Sequence, residues 1–193
     1  MGKPGHKDLR FAELDDDTGL ARAHIVLDLD GGTRRDVETG HAVLDAWIAD
    51  LSLEAGIDLG LSIEAEASSD PQDVAEAAGR ALGSALHVCC EAGDQVVGLG
   101  HAVVPRGECL ILVAIDLQFG PGLELDLGLV REGIGSMPCQ GVMEFFRSLS
   151  SGAGCNLHVK RLAGKNDVHT VDAAFRALGL AIGSAIRRRD DTT

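Results

Sequence analysis

The chain has 193 residues, 45% hydrophobic and 24% charged, with 30 Asp and Glu against 17 Lys and Arg and a formal net charge of −13. That acidic balance repels a phosphate backbone and argues against a nucleic-acid partner, while the apolar share is that of a globular protein rather than a disordered one. Apolar runs such as Leu110–Ile115 fall far short of the roughly 20 residues that cross a bilayer, and the polar start does not read as an export signal.

Residues 1–18, with Pro4, Gly5 and the run Asp15-Asp16-Asp17, read as a flexible N-terminal arm. A first half-domain over 19–95 follows. His24–Gly32 alternates like a strand that ends in a glycine turn, and Val43–Leu51 carries a helix-like apolar face. Ala55–Ile63 is a strand after a turn, and Gln72–Leu86 has apolar residues at helical spacing. Val96–Pro105 adds a strand at the junction with a second half-domain over 96–187. There Leu112–Gly120 matches the first strand, Val142–Ser150 the first helix and Ala153–Arg161 the next strand. The match is strongest at the end: QDVAEAAGRALGSAL at Gln72–Leu86 aligns without gaps on DAAFRALGLAIGSAI at Asp172–Ile186, at an offset of 100 residues.

These pairs predict an α+β fold made by tandem duplication of a strand-strand-helix-strand-helix half, with the helices on one face of each sheet. The small residues shared by the two last helices, among them Gly79/Gly179 and Gly83/Gly183, predict close helix packing. Arg187-Arg188-Arg189 suits the C-terminal end of a helix dipole, and 188–193 is a tail. The five cysteines, Cys89, Cys90, Cys109, Cys139 and Cys155, are odd in number and form no CxxC pair, so they predict buried thiols and a cytoplasmic protein.

The most informative stretch is Gly164-Lys-Asn-Asp-Val-His-Thr-Val-Asp-Ala-Ala-Phe-Arg-Ala177. With Thr39-Gly-His-Ala-Val, Val104-Pro-Arg-Gly-Glu-Cys-Leu and Glu144-Phe-Phe-Arg, it resembles the imidazoleglycerol-phosphate dehydratase family, whose pattern is GKN followed by H-H-x-x-E-A-x-F-K-A. The resemblance runs over residues 20–187. It implies a ribosomal protein S5 domain 2-like duplication, a hydro-lyase of histidine biosynthesis and two manganese ions held by an H-H-x-x-E motif from each half. A His and a carboxylate one helical turn apart share a face, so both can reach one metal.

The chain departs from that pattern at most ligand positions. The second motif has Val168, His169 and Asp172; the first has Ser68, Ser69 and Gln72. Asp45-Ala46-Trp47-Ile48 stands for the family's D-H-M-L, and Glu54 for a further His. His158, His169 and Asp172 remain, a residual site for one weakly bound divalent metal or none. The phosphate side is thinned too, since Gly93-Asp-Gln and Gln118-Phe-Gly-Pro121 lack the family's arginines. Lys165 and Asn166 remain as substrate-binding candidates, with Glu108 and Asp172 as catalytic residues if the chain is active.

Each of these residues also has a plain structural reading. His169 and Asp172 can cap the last helix, His158 can be a core or interface residue, and Lys165-Asn166 can be turn residues. Three functions stay open: a relative without di-manganese activity that acts as a binder, partner subunit or assembly component; a divergent lyase or isomerase of specialised metabolism; or a genuine dehydratase. The family resemblance implies trimers that join into a 24-subunit shell through the metals. Loss of ligands therefore predicts a homo-oligomer, a trimer or another assembly smaller than 24 subunits, with a small-molecule ligand left open.

Overall fold

The computed structural model describes residues 10–91 and 96–189. In the first half β1 (Phe11–Asp17), β2 (Ala21–Asp28) and β3 (Arg35–Glu38) precede α1 (Ala42–Ala55), β4 (Asp58–Ala65) and α2 (Pro71–Glu91). The second half has β5 (Leu99–Arg106), β6 (Cys109–Asp116) and β7 (Gly122–Asp126), then a small hairpin of β8 (Gly133–Ile134) and β9 (Met137–Pro138). It closes with α3 (Cys139–Ala153), β10 (Asn156–Ala163) and α4 (Asp167–Ala185).

The strand orders are the same in both halves, β1-β2-β4-β3 and β5-β6-β10-β7. In each, the third strand joins the edge in parallel to the strand that follows the first helix. Each half therefore places three strands of its four-stranded sheet, not two, before its first helix, and the second half adds the β8–β9 hairpin. The short strands Arg-Asp-Val-Glu and Gly-Leu-Glu-Leu-Asp carry too little apolar alternation to be read from sequence.

Two expectations about the ends change. Residues 11–17 of the expected arm form an antiparallel edge strand, paired from Phe11↔Asp28 to Asp17↔Arg22. Ala12 and Leu14 face the core, and the run of aspartates is held by Arg80 on Asp16 (2.7 Å) and Arg22 on Asp17 (3.0 Å). An edge strand tolerates such charges because its outer side stays in water. At the other end, Arg188 bridges to Val96 and pairs with Asp30 at 3.2 Å, so the first residues of the expected tail are tied down. Buried Arg10 binds the Ile186 carbonyl and Asp30, which joins the two ends of the chain.

Helices α1 and α2 face the first sheet, α3 and α4 the second, and the pairs α2–α3 and α1–α4 cross between the halves. The repeated glycines make these crossings close. A methyl carbon on Gly79 would lie 2.3 Å from the Phe145 carbonyl oxygen, and one on Gly179 would lie 2.3 Å from that of Leu51. Gly83 and Gly183 approach the Leu149 and Ala55 carbonyls in the same way. One apolar cluster runs through both halves. At its centre Trp47 stacks on Phe175 with ring centroids 5.3 Å apart, and Phe145 and Phe146 pack against the same ring.

All five cysteines are free. Burial pushes the Cys89 thiol up to about 12 and that of Cys90 to about 11, so neither is a ready nucleophile.

Candidate functional site

The residues singled out in the second half gather around the start of α4. Asn166 is its N-cap, and its side-chain oxygen accepts from the Val168 and His169 amides at 3.0 and 3.4 Å. The turn between β5 and β6 brings Glu108 alongside: one carboxylate oxygen accepts from the Asn166 amide at 3.2 Å, and the other lies 3.1 Å from His169 Nδ1. The turn can come this close because Gly107, at φ +57°, has no side chain; a Cβ there would sit 2.7 Å from the His169 ring.

Its own backbone N–H and the His169 ring hold the Glu108 carboxyl below the ordinary glutamate range. Glu108 is therefore an acceptor, and His169 Nδ1 is the donor in this pair.

Asp172, one turn further on, is engaged at both oxygens. Oδ1 accepts from the Trp47 indole at 2.9 Å, and Oδ2 lies 3.5 Å from Arg106 Nη2. Glu54 is engaged too, accepting from Arg176 Nε at 2.9 Å. Each of these acids links α1 to α4, across the two halves.

The remaining candidates are not drawn in. His158 is exposed on the outer face of the second sheet, between Ala114 and Glu124 in register, with the sheet between it and α4. Lys165 is exposed and makes no hydrogen bond or ion pair among the described residues. In the first half, Ser69 donates its hydroxyl to the Leu20 carbonyl, and Gln72 lies in the first turn of α2. Of the stretch Gly93–Gly100, residues 93–95 lie outside the described residues; the position after Gly98, where the resemblance implies an arginine, is Leu99, exposed at the start of β5.

Three side chains at this site stand outside the candidates read from the sequence. Asp167 is 1% exposed and accepts the Val130 and Arg131 amides at 2.9 and 2.7 Å, which pins that loop to the start of α4. Its other oxygen faces Arg161 at 3.8 Å. Arg106 and Trp47 complete the set, and neither role is local in sequence. Only Asp167 carried a signal, as an acid in the first turn of a helix.

The duplicated sheets, the crossed helices and the polar cluster at the start of α4 define a two-repeat α+β protein whose candidate site lies at the start of its last helix. A sequence model of imidazoleglycerol-phosphate dehydratase matches residues 39–182. The dehydratase of Desulforamulus reducens is 34% identical over 160 residues, 83% of this chain and 82% of its own. That of Heliobacterium modesticaldum is 34% identical over 178 residues, 92% of this chain and 91% of its own. The crystal structure of the Staphylococcus aureus dehydratase superposes with a TM-score of 0.81 at 25% identity, over 92% of this chain and 99% of that one. The chain belongs to the imidazoleglycerol-phosphate dehydratase family.

The residues of one chain do not fit the two-manganese group that the resemblance implies. Among the described residues no three His, Cys, Asp or Glu side chains gather closely enough to hold a metal ion. His169 is turned to Glu108, Asp172 to Trp47 and Arg106, and His158 lies across the sheet.

Proposed function

We propose that this chain keeps the dehydratase scaffold without the family's two-manganese chemistry and serves as a small-molecule binder, partner subunit or assembly component. The observation that carries this reading is the engagement of Asp172. An acid that accepts from an indole and neighbours a guanidinium is a structural tie between helices, and ligation would break both contacts. The missing arginines point the same way, because a lone lysine forms no bidentate contact with phosphate. Calorimetric titration with Mn²⁺ tests it: no tight binding is expected, and two tight sites per chain would overturn the reading.

A second reading rests on the His169–Glu108 pair. In a lyase or isomerase, Nε2 of His169 would take the proton while Glu108 positions the ring. Any activity found by substrate screening should then fall at least 100-fold in His169→Ala, and activity that survives the change removes this reading. A third reading follows the relatives' name. Rescue of a histidine auxotroph by this chain would establish it; the expected result is no rescue.

The scaffold is proposed to assemble as a trimer and to stop short of a metal-joined shell. Among the described residues no helix is long and apolar enough to cross a membrane; the cytoplasm is the proposed compartment.

A further inference from the structure

The duplication gives places in one half a counterpart in the other. β1 and β5 meet the next strand in the same register, Phe11 opposite Asp28 and Leu99 opposite Asp116. The residue before each strand uses its carbonyl alike: Arg10 accepts the Leu29 amide at 3.0 Å and Gly98 the Leu117 amide at 2.8 Å. Asp28 and Asp116 then accept the amides of Asp30 and Gln118, both at 2.9 Å. With the 100-residue offset of the long helices, Arg10 corresponds to Gly98, Asp30 to Gln118 and Ile186 to Leu86.

The two places are filled differently. In the first, the Arg10 guanidinium is held between the Ile186 carbonyl, at the C-terminal end of α4, and Asp30, and the residue is 7% exposed. In the second, Gly98 brings no side chain, and Gln118 lies over it instead, 2.6 Å from where a Cβ would be. A cavity of about 440 Å³ is left there. Leu86, Leu117 and Ala153 give it apolar walls, and Gln118, His87 and Glu91 are its polar groups.

The charge at this cavity suits a cation. Both α2 and α3 end at it, and neither has a basic residue in its last turn, so two negative dipole ends lie there with the Glu91 carboxylate. The basic residues nearby are engaged: Arg10 and Arg188 on Asp30, and Arg189 on the Val96 carbonyl (3.1 Å) and Gln118 Oε1 (3.3 Å). Asp116, which holds the Gln118 amide, offsets Arg189 on that wall. His87 lies 3.2 Å from Glu91 at the rim.

We propose that this cavity binds a small organic cation with an apolar body, a guanidinium or protonated amine that takes the place Arg10 fills in the other half. The body packs on Leu86, Leu117 and Ala153. The head is met by Glu91 and the carbonyl ends of α2 and α3, as that of Arg10 is met by Asp30 and the carbonyl end of α4. A carboxylate of the same size is repelled by Glu91 and by both helix ends. Val96, on the cavity wall, bridges to Arg188 just past the end of α4, so binding here is independent of metal chemistry at the start of that helix.

The probe is n-butylguanidinium, which copies an arginine side chain, with pentanoate and 1-pentanol as its anionic and neutral counterparts. Ligand-observed NMR titration should show the guanidinium bound about tenfold more tightly than either. It should also slow maleimide alkylation of Cys90, a half-buried thiol on the cavity wall, read by mass spectrometry of the Cys90 peptide. Glu91→Gln should remove the preference for the cation, and Gly98→Arg, which supplies the missing guanidinium, should abolish binding. Gly98 has φ +82°, which disfavours a side chain, so Cys90→Leu, which narrows the cavity, is the second blocking variant and should abolish binding too. Pentanoate bound as tightly as the guanidinium overturns the site. So does a cation preference unmoved by Glu91→Gln, or binding that survives Cys90→Leu. Absence of binding by all three probes overturns it as well and leaves the result of the manganese titration standing.

Discussion

Helices α2 and α4 are the same element twice, alike along their lengths and different at their starts. Along the length, Gly79 and Gly179 each bring a helix to 2.3 Å, measured from a virtual methyl, of a carbonyl on the facing helix of the other half. At the start, α4 has the Asn166 cap, the Glu108–His169 pair and the Asp172–Trp47 bond, while α2 begins at Pro71 behind a turn held by Ser69. Close packing restricts what can replace a glycine, whereas a polar helix start tolerates several ways of satisfying its free amides. The positions that the resemblance compares with ligands lie at the tolerant end, where this chain has caps and ion pairs.

The largest expected effect breaks the likeness along the helices. Gly179→Val and Gly79→Val each force a side chain into a facing backbone and should cost about 3 kcal/mol. That corresponds to a fall of about 6–12 °C in Tm for a chain of this size, read by calorimetry. Equal losses would show that the halves share one packing solution. A loss in only one of them would mean that the other crossing can part without cost.

A smaller effect concerns the difference at the helix starts. Trp47→Phe keeps most of the stack on Phe175 but removes the indole donor, leaving Asp172 Oδ1 without its partner. The expected cost is about 1–2 kcal/mol, measured by urea unfolding. Stability equal to that of the unaltered chain would remove the bond as a tie between the halves.

The smallest effect is a pH dependence. Glu108 binds protons less readily folded than unfolded, because its own backbone N–H and the His169 ring hold its pKa down. Its contribution is therefore complete above the ordinary glutamate range and is lost as the pH falls through the lowered value. In Glu108→Gln the drop in Tm on acidification from neutral pH should be slightly shallower than in the unaltered chain. An identical acid profile would show that this pair adds nothing to the start of α4.

Much of this protein is legible in its sequence. The repeat at an offset of 100 residues marks both long helices and the duplication, because helix faces and small residues leave periodic signals. β1 escaped because three aspartates in a row mask the alternation of Ala12 and Leu14, and β3 because four residues hold no period. At the site, the sequence marks His169, Asp172, Asn166 and Glu108 as residues of interest. It gives no sign that Asp172 is taken by Trp47, which is 125 positions away.

The sequence by itself determined the two halves, the small-residue faces of α2 and α4, and the residue types at the start of α4, since all of these are written in local order and identity. Tertiary structure decided how the halves meet. Gly79 faces Phe145, nine residues before the cap Gly154, whereas Gly179 faces Leu51, five residues before the cap Gly56. The two crossings thus differ by four residues, about one helical turn. Where a helix settles along its neighbour depends on how whole surfaces interlock. The same contacts bring an indole to a carboxylate and give the remaining acids their partners.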